Sequence, residues 1–173
     1  MSAIPDFIDK YHLPPGVHEC SVQEIEERFL WSERRKDVWR LFKIFLERLE
    51  ILGIIPDSIL IDGSFVTGRE EPGDVDVCLL IPPKKLSNAY RALNNEEDRI
   101  CLEFICNPRN QRTLRLSFGT HPIIVPDEVR LEKISEIFRT GGTQFHHLRP
   151  PDSERDPKWV ETPAEKGILR VNL

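Results

Sequence analysis

Asp74 and Asp76 stand two positions apart at the start of the apolar run 75–81. That run is short, rich in β-branched residues and bounded by turn residues, so it reads as a buried strand. Strand side chains alternate between faces, which puts both carboxylates on one face and Val75 and Val77 on the other. Two carboxylates side by side repel each other unless something compensates them. A divalent cation does so, and hard oxygen ligands suit Mg²⁺ or Mn²⁺ completed by waters and substrate phosphates. The second group with chemistry to offer is Gly63-Ser64, which follows another apolar run, 59–61. A glycine there gives an unhindered backbone turn, and the serine adds a hydroxyl and exposed N–H groups, a combination that suits a phosphate. Arg69 on the connecting loop and Lys84 past the second strand are cations that could face a triphosphate; solvated surface is the alternative reading of both.

Gly63-Ser64 followed after nine residues by Asp74-x-Asp76 resembles the signature of the DNA polymerase β-like nucleotidyltransferases. The likeness is closest to the minimal nucleotidyltransferases, whose loop carries a further glycine, here Gly68. The runs 13–19, 62–67 and 166–169 also resemble a family of short bacterial proteins in that superfamily. The motif-bearing part spans residues 58–126. The resemblance implies an α/β fold, a small mixed sheet with flanking helices of the polymerase β palm type. It implies Asp74 and Asp76 as metal ligands and catalytic residues, and Gly63 and Ser64 as nucleotide-binding residues. Active members place a third carboxylate on a following strand, and His121 occupies that position here. An imidazole can act as a base near neutral pH but is a poor ligand for a hard cation. A hydrogen-bonded structural histidine is the other reading. Glu103 becomes a substitute acid if residues 101–105 form a strand and is an exposed helix residue otherwise.

The elements that would position these groups follow from pattern. Residues 1–20, with Pro5, Pro14, Pro15 and Gly16, read as an extended arm packing Phe7, Ile8, Tyr11 and Leu13 onto the domain. Ser21-x-x-Glu24 is a capping box, and Ser32 caps a second helix whose apolar residues run from Val38 through Phe42, Phe45 and Leu49 to Leu52. Gly53 then suits its C-terminus. The charges Glu33, Arg34, Arg35, Lys36, Glu47 and Arg48 read as its solvated face. Residues 86–93 and 96–106 look helical, the latter with Ile100, Phe104 and Ile105 on one side. Residues 114–118 fit helix or strand equally. Residues 120–126 read as a third strand. Asp127 caps a helix to Phe138, with Val129 or Leu131, Ile134, Ile137 and Phe138 inward. Residues 144–163 are Pro- and charge-rich, a long loop or partly mobile tail in which His146 and His147 read as surface residues. Residues 167–173 alternate loosely and could add a terminal strand. The organisation expected is an arm (1–20), a nucleotidyltransferase-like domain (21–140) and a C-terminal extension on the same domain (141–173).

With 173 residues, 39% hydrophobic and 31% charged, the chain can bury a core as one domain. No apolar stretch approaches the ~18–20 residues needed to span a bilayer, and no secretory signal is visible. The four cysteines lack C-x-x-C spacing and read as reduced thiols of a cytoplasmic protein. A net charge of −5 argues against bulk nonspecific nucleic-acid binding and leaves room for a local basic strip. The functional expectation is a metal-dependent transfer of NMP from an NTP, ATP among them, to a hydroxyl of a partner protein or RNA. The resemblance adds a toxin–antitoxin or phage-defence setting. The alternative is a degenerate module of the same fold that binds a nucleotide or partner without transfer.

Overall fold

The computed structural model describes residues 3–141, 148–149, 160–161 and 163–173. Six helices and a five-stranded mixed sheet carry the fold. The strands are β1 (Gly16–Glu19), β2 (Ser58–Asp62), β3 (Val75–Leu80), β4 (Thr120–Val125) and, after the two-residue strands β5 (Leu148–Arg149) and β6 (Val160–Glu161), β7 (Gly167–Asn172). Their order is β1-β7-β2-β3-β4. β7 runs parallel to β1 and antiparallel to β2, β2 antiparallel to β3, and β3 parallel to β4. The last strand therefore lies inside the sheet, where the sequence reads only a terminal addition.

Period-two alternation divides the buried residues between the two faces of the sheet. Ile59, Ile61, Val75, Val77, Leu79, Leu169 and Val171 face one way, into the larger core with Ile25, Phe29, Val38, Phe42, Phe45 and Leu49. These last residues come from α1 (Val22–Phe29) and α2 (Glu33–Ile51). Leu60, Cys78, Leu80, Val125 and Ile168 face the other way and meet Leu131 of α6 (Glu128–Thr140). Ser21 and Glu24 form the capping box of α1, Ser32 caps α2 by accepting from the Arg35 N–H, and Asp127 caps α6. Between β3 and β4 come α3 (Pro83–Ala92), α4 (Glu96–Cys106) and α5 (Gln111–Phe118), the segment whose periodicity fits two structures. Gly119, at φ 57°, ends α5 in the left-handed region and turns the chain into β4.

Several inward assignments change. Leu102 and Ile105 are the buried residues of α4, whereas Ile100 is 57% exposed and Phe104 38%. On α6, Leu131 is buried, while Val129 and Ile137 face solvent. α6 covers the sheet along a narrow stripe, and α4 turns only Leu102 and Ile105 into the core, so only part of each apolar set is buried. The arm is more than a packed tail: its residues 16–19 are an edge strand, Ile4 and Leu13 are buried, and Ile8 is exposed. Residues 144–147, with His146 and His147, lie outside the described residues. All four cysteines are free thiols, and burial pushes Cys20 and Cys78 up to about 12.

The insertion of β7 has a measurable consequence. Leu169→Ala is expected to cost about 2–5 kcal/mol, because it opens a cavity in the larger core. Ile100→Ala, at an exposed site, should stay within about 0.5 kcal/mol. Urea unfolding of the two variants checks the contrast, and equal losses would contradict the burial assignment.

Candidate functional site

The motif loop is shaped first by its glycines. Gly63 has φ 81°, and a Cβ there would collide with Asp76 Oδ2, so only glycine lets that carboxylate lie against the turn. Ser64 opens a 3₁₀ turn over Ser64–Val66, and its carbonyl accepts from the Thr67 N–H at 3.3 Å and the Thr67 hydroxyl at 2.7 Å. A Cβ on Gly68 would strike the Lys10 carbonyl, and the Gly68 N–H donates to the Tyr11 carbonyl at 2.9 Å. The arm is thereby fastened to the loop.

Arg35 holds the loop from beneath, and this corrects its reading as a solvated charge: it is fully buried. Its guanidinium donates to five carbonyls, those of Arg69 (2.8 Å), Phe65 (2.7 Å), Thr67 (2.5 Å), Phe29 (3.3 Å) and Ser64 (3.4 Å). Arginine has five N–H donors in a rigid fork, so the geometry matches its whole donor capacity. The plane also stacks 3.7 Å from the centre of the Trp31 ring. Ser32 donates to the Glu70 carbonyl and Arg34 to those of Pro72 and Gly73, so the start of α2 grips the loop along its length. Position 35 lies three residues before Val38 on the apolar stripe of α2, a signal that was available in the spacing.

Asp76 faces His121 on β4 and Asp62 on β2, its register partners, so the three side chains form one row across the sheet. Each carboxylate meets a cation. Asp74 pairs with Arg115 of α5 (Nε–Oδ2 2.7 Å), Asp76 with His121 (Nδ1–Oδ1 3.4 Å), and Asp62 with Lys166 in a pair that is almost fully buried. The other His121 nitrogen meets Gln111 Oε1 at 3.0 Å, and the Gln111 amide donates to the Pro122 carbonyl at 3.1 Å. That second bond fixes the amide so that its oxygen faces the ring. Both imidazole nitrogens therefore face acceptors, and the doubly protonated ring satisfies both. The hydrogen bond to Asp76 raises the His121 pKa above its ordinary 6.5; burial opposes the rise, and the charge of Asp74 adds to it.

The sequence-derived residues thus divide. Gly63, Ser64, Asp74, Asp76 and His121 gather at one end of the sheet. Arg69 is buried at 3% exposure, its carbonyl bound by Arg35, and does not face outward toward a triphosphate. Lys84 lies in the first turn of α3, past the C-terminal end of β3, whereas Asp74 and Asp76 stand at the start of that strand. Glu103 is helical and exposed, accepts from the Tyr90 hydroxyl at 2.9 Å, and supplies no third acid. Gln111, Arg115, Asp62 and Lys166 join the site without having been singled out. Asp62 and Lys166 adjoin glycines of the runs that carry the resemblance, which is the signal they left.

The donor set distinguishes two ways of holding Mg²⁺ or Mn²⁺. Among the described residues no group of three His, Cys, Asp or Glu side chains is placed to hold a metal. A cation arriving with substrate phosphates needs only one or two carboxylates. Asp74 and Asp76 are two such carboxylates, and the Arg115 side chain paired with Asp74 is 58% exposed.

A family model matches residues 5–172, nearly the whole chain. The chain belongs to the family of unknown function DUF6932. No curated protein and no solved structure matches this DUF6932 chain. Among the described residues no helix is long and apolar enough to cross a membrane.

Two measurements follow. Arg35→Met should cost at least about 3 kcal/mol, because buried carbonyls lose their donors, and should expose the 64–69 loop to proteolysis. Unchanged protection would deny Arg35 its role. Because the His121 pKa is raised in the fold, its pairing stabilises fully below the ordinary 6.5 and is lost as pH rises through the raised value. Asp76→Asn should move the NMR titration of the His121 ring downward and flatten that part of the stability profile.

Proposed function

We propose that this protein is a nucleotidyltransferase acting on an NTP presented with a divalent cation. The observation that supports the reading best is the seating of the Asp76 carboxylate against Gly63, with Ser64 and Asp74 beside it. The glycine turn, the serine after it and a pair of carboxylates thereby stand at one end of a sheet. The strand order around it, with β2 antiparallel to β3 and β3 parallel to β4, is compatible with the palm-type fold that the resemblance implies. Ser64 and the turn would hold the terminal phosphates, and Asp74 and Asp76 would hold the cation, Mg²⁺ or Mn²⁺. Bound there, the cation would offset charge on the departing pyrophosphate. Arg115, released from Asp74, would be free to bind phosphate oxygens through its fork. In the transfer, a hydroxyl oxygen of a protein or RNA acceptor bonds to the α-phosphorus. The bond to the bridging oxygen breaks, pyrophosphate leaves with the electron pair, and the hydroxyl proton passes to solvent.

A second reading is favoured by a different observation. His121 stands where an acid is expected, and both of its ring nitrogens are engaged, by Asp76 and Gln111, so neither is turned toward an incoming hydroxyl. A binding module of the same fold, holding a nucleotide or partner without transfer, would have this character.

The two readings are separated by incubating the chain with α-labelled NTPs, Mn²⁺ and candidate acceptors. Transfer of label that disappears in the Asp74→Asn, Asp76→Asn double variant is expected. Equal labelling by the double variant would end the assignment, and binding without labelling would favour the module. Calorimetry should show little uptake of Mn²⁺ alone and clear uptake of Mn²⁺ with a nonhydrolysable NTP. Tight binding of the metal alone would contradict the donor analysis.

A further inference from the structure

The longest stretch of this acidic chain without acids runs from residue 104 to residue 126. Arg109, Arg112, Arg115 and His121 all fall within it. The fold concentrates that charge. Pro108–Asn110 form a 3₁₀ turn running directly into α5, so Arg109, Arg112 and Arg115 follow one another at single-turn spacing. All three are exposed. Arg115 ends the line at Asp74, and the Arg109 and Arg112 side chains meet no carboxylate among the described residues. Leu116, four residues after Arg112, is 78% exposed and lays an apolar surface beside the guanidinium groups. Leu114 holds the opposite side of α5 in the core.

We infer that this strip is a docking surface for the backbone of a single-stranded polynucleotide. Guanidinium forks match phosphate oxygens. A ligand that carries phosphates along its backbone and apolar base faces beside them matches three arginines in line with one exposed leucine at their side, which a run of carboxylates does not. One line of cations follows one strand and does not reach across a duplex groove. Its inner end, Arg115, meets Asp74 beside the row of Asp62, Asp76 and His121. The inference stands apart from the transfer chemistry: a chain that binds the strand and never modifies it would keep this surface and lose the catalytic reading.

The test measures fluorescence anisotropy of a labelled oligouridylate and a labelled oligothymidylate with the full chain, over about 50 to about 200 mM salt. The double variant Arg109→Ala, Arg112→Ala leaves the carboxylate row intact. It is expected to bind either strand roughly tenfold more weakly at about 0.1 M salt, with the salt slope reduced by roughly 1.4 for two lost phosphate contacts. The charge-reversed Arg109→Glu, Arg112→Glu variant should abolish binding while keeping the thermal transition of the parent. The ratio between the two strands tells RNA from DNA. Unchanged affinity and slope in both variants would overturn the inference, as would stronger binding of a duplex or of a polyglutamate peptide.

Discussion

A single buried guanidinium sets the conformation on which the site depends. A loop that turns sharply at Gly63 and still packs against a core leaves several carbonyls inside, where unpaired polar groups are costly. Arg35 resolves this by accepting no compromise in its own donors: each of its five N–H groups has a carbonyl, four of them from the loop. The charge is spread over carbonyl dipoles and the faces of Trp31 and Phe65. Because Arg35 stands in the first turn of α2, the helix that anchors the larger core also fixes the loop. Packing and site geometry are one construction here.

The row at the sheet end follows a second rule. Asp62, Asp74 and Asp76 are crowded together, and their mutual repulsion is answered by Lys166, Arg115 and His121. The three pairs differ in exposure, and that difference assigns them different work. Asp62–Lys166 is sealed and ties the start of β7 to the end of β2. The Asp74–Arg115 pair has its arginine in solvent, so it can exchange partners at little cost in packing. His121 lies between, held by a carboxylate and an amide whose orientation the backbone dictates.

The arginine line on α5 extends this electrostatic arrangement outward. The acidic balance of the chain opposes a polyanion at a distance, so the proposed attraction would act at close range, along the acid-free segment 104–126. Arg115 belongs to both regions, since it closes the carboxylate row and ends the cationic strip.

Much of this was legible beforehand because local rules govern it. Serine and aspartate caps, the alternation of the motif strand and the positive-φ glycine before Ser64 depend on near neighbours, and each was readable by residue. The joint placement of Gly63, Ser64, Asp74, Asp76 and His121 followed from strand alternation together with the resemblance. What the tertiary structure alone decided involves partners far apart along the chain. Arg35 is a loop-holding residue because of carbonyls about thirty positions away, and Asp62 meets Lys166 across 104 positions. β7 enters between β1 and β2, and Lys84 falls at the wrong end of its strand for the role its charge suggests. Sequence fixes which groups a helix or strand turns to one side. Which opposite charge, carbonyl or strand awaits them depends on how the sheet closes, and no local periodicity encodes that.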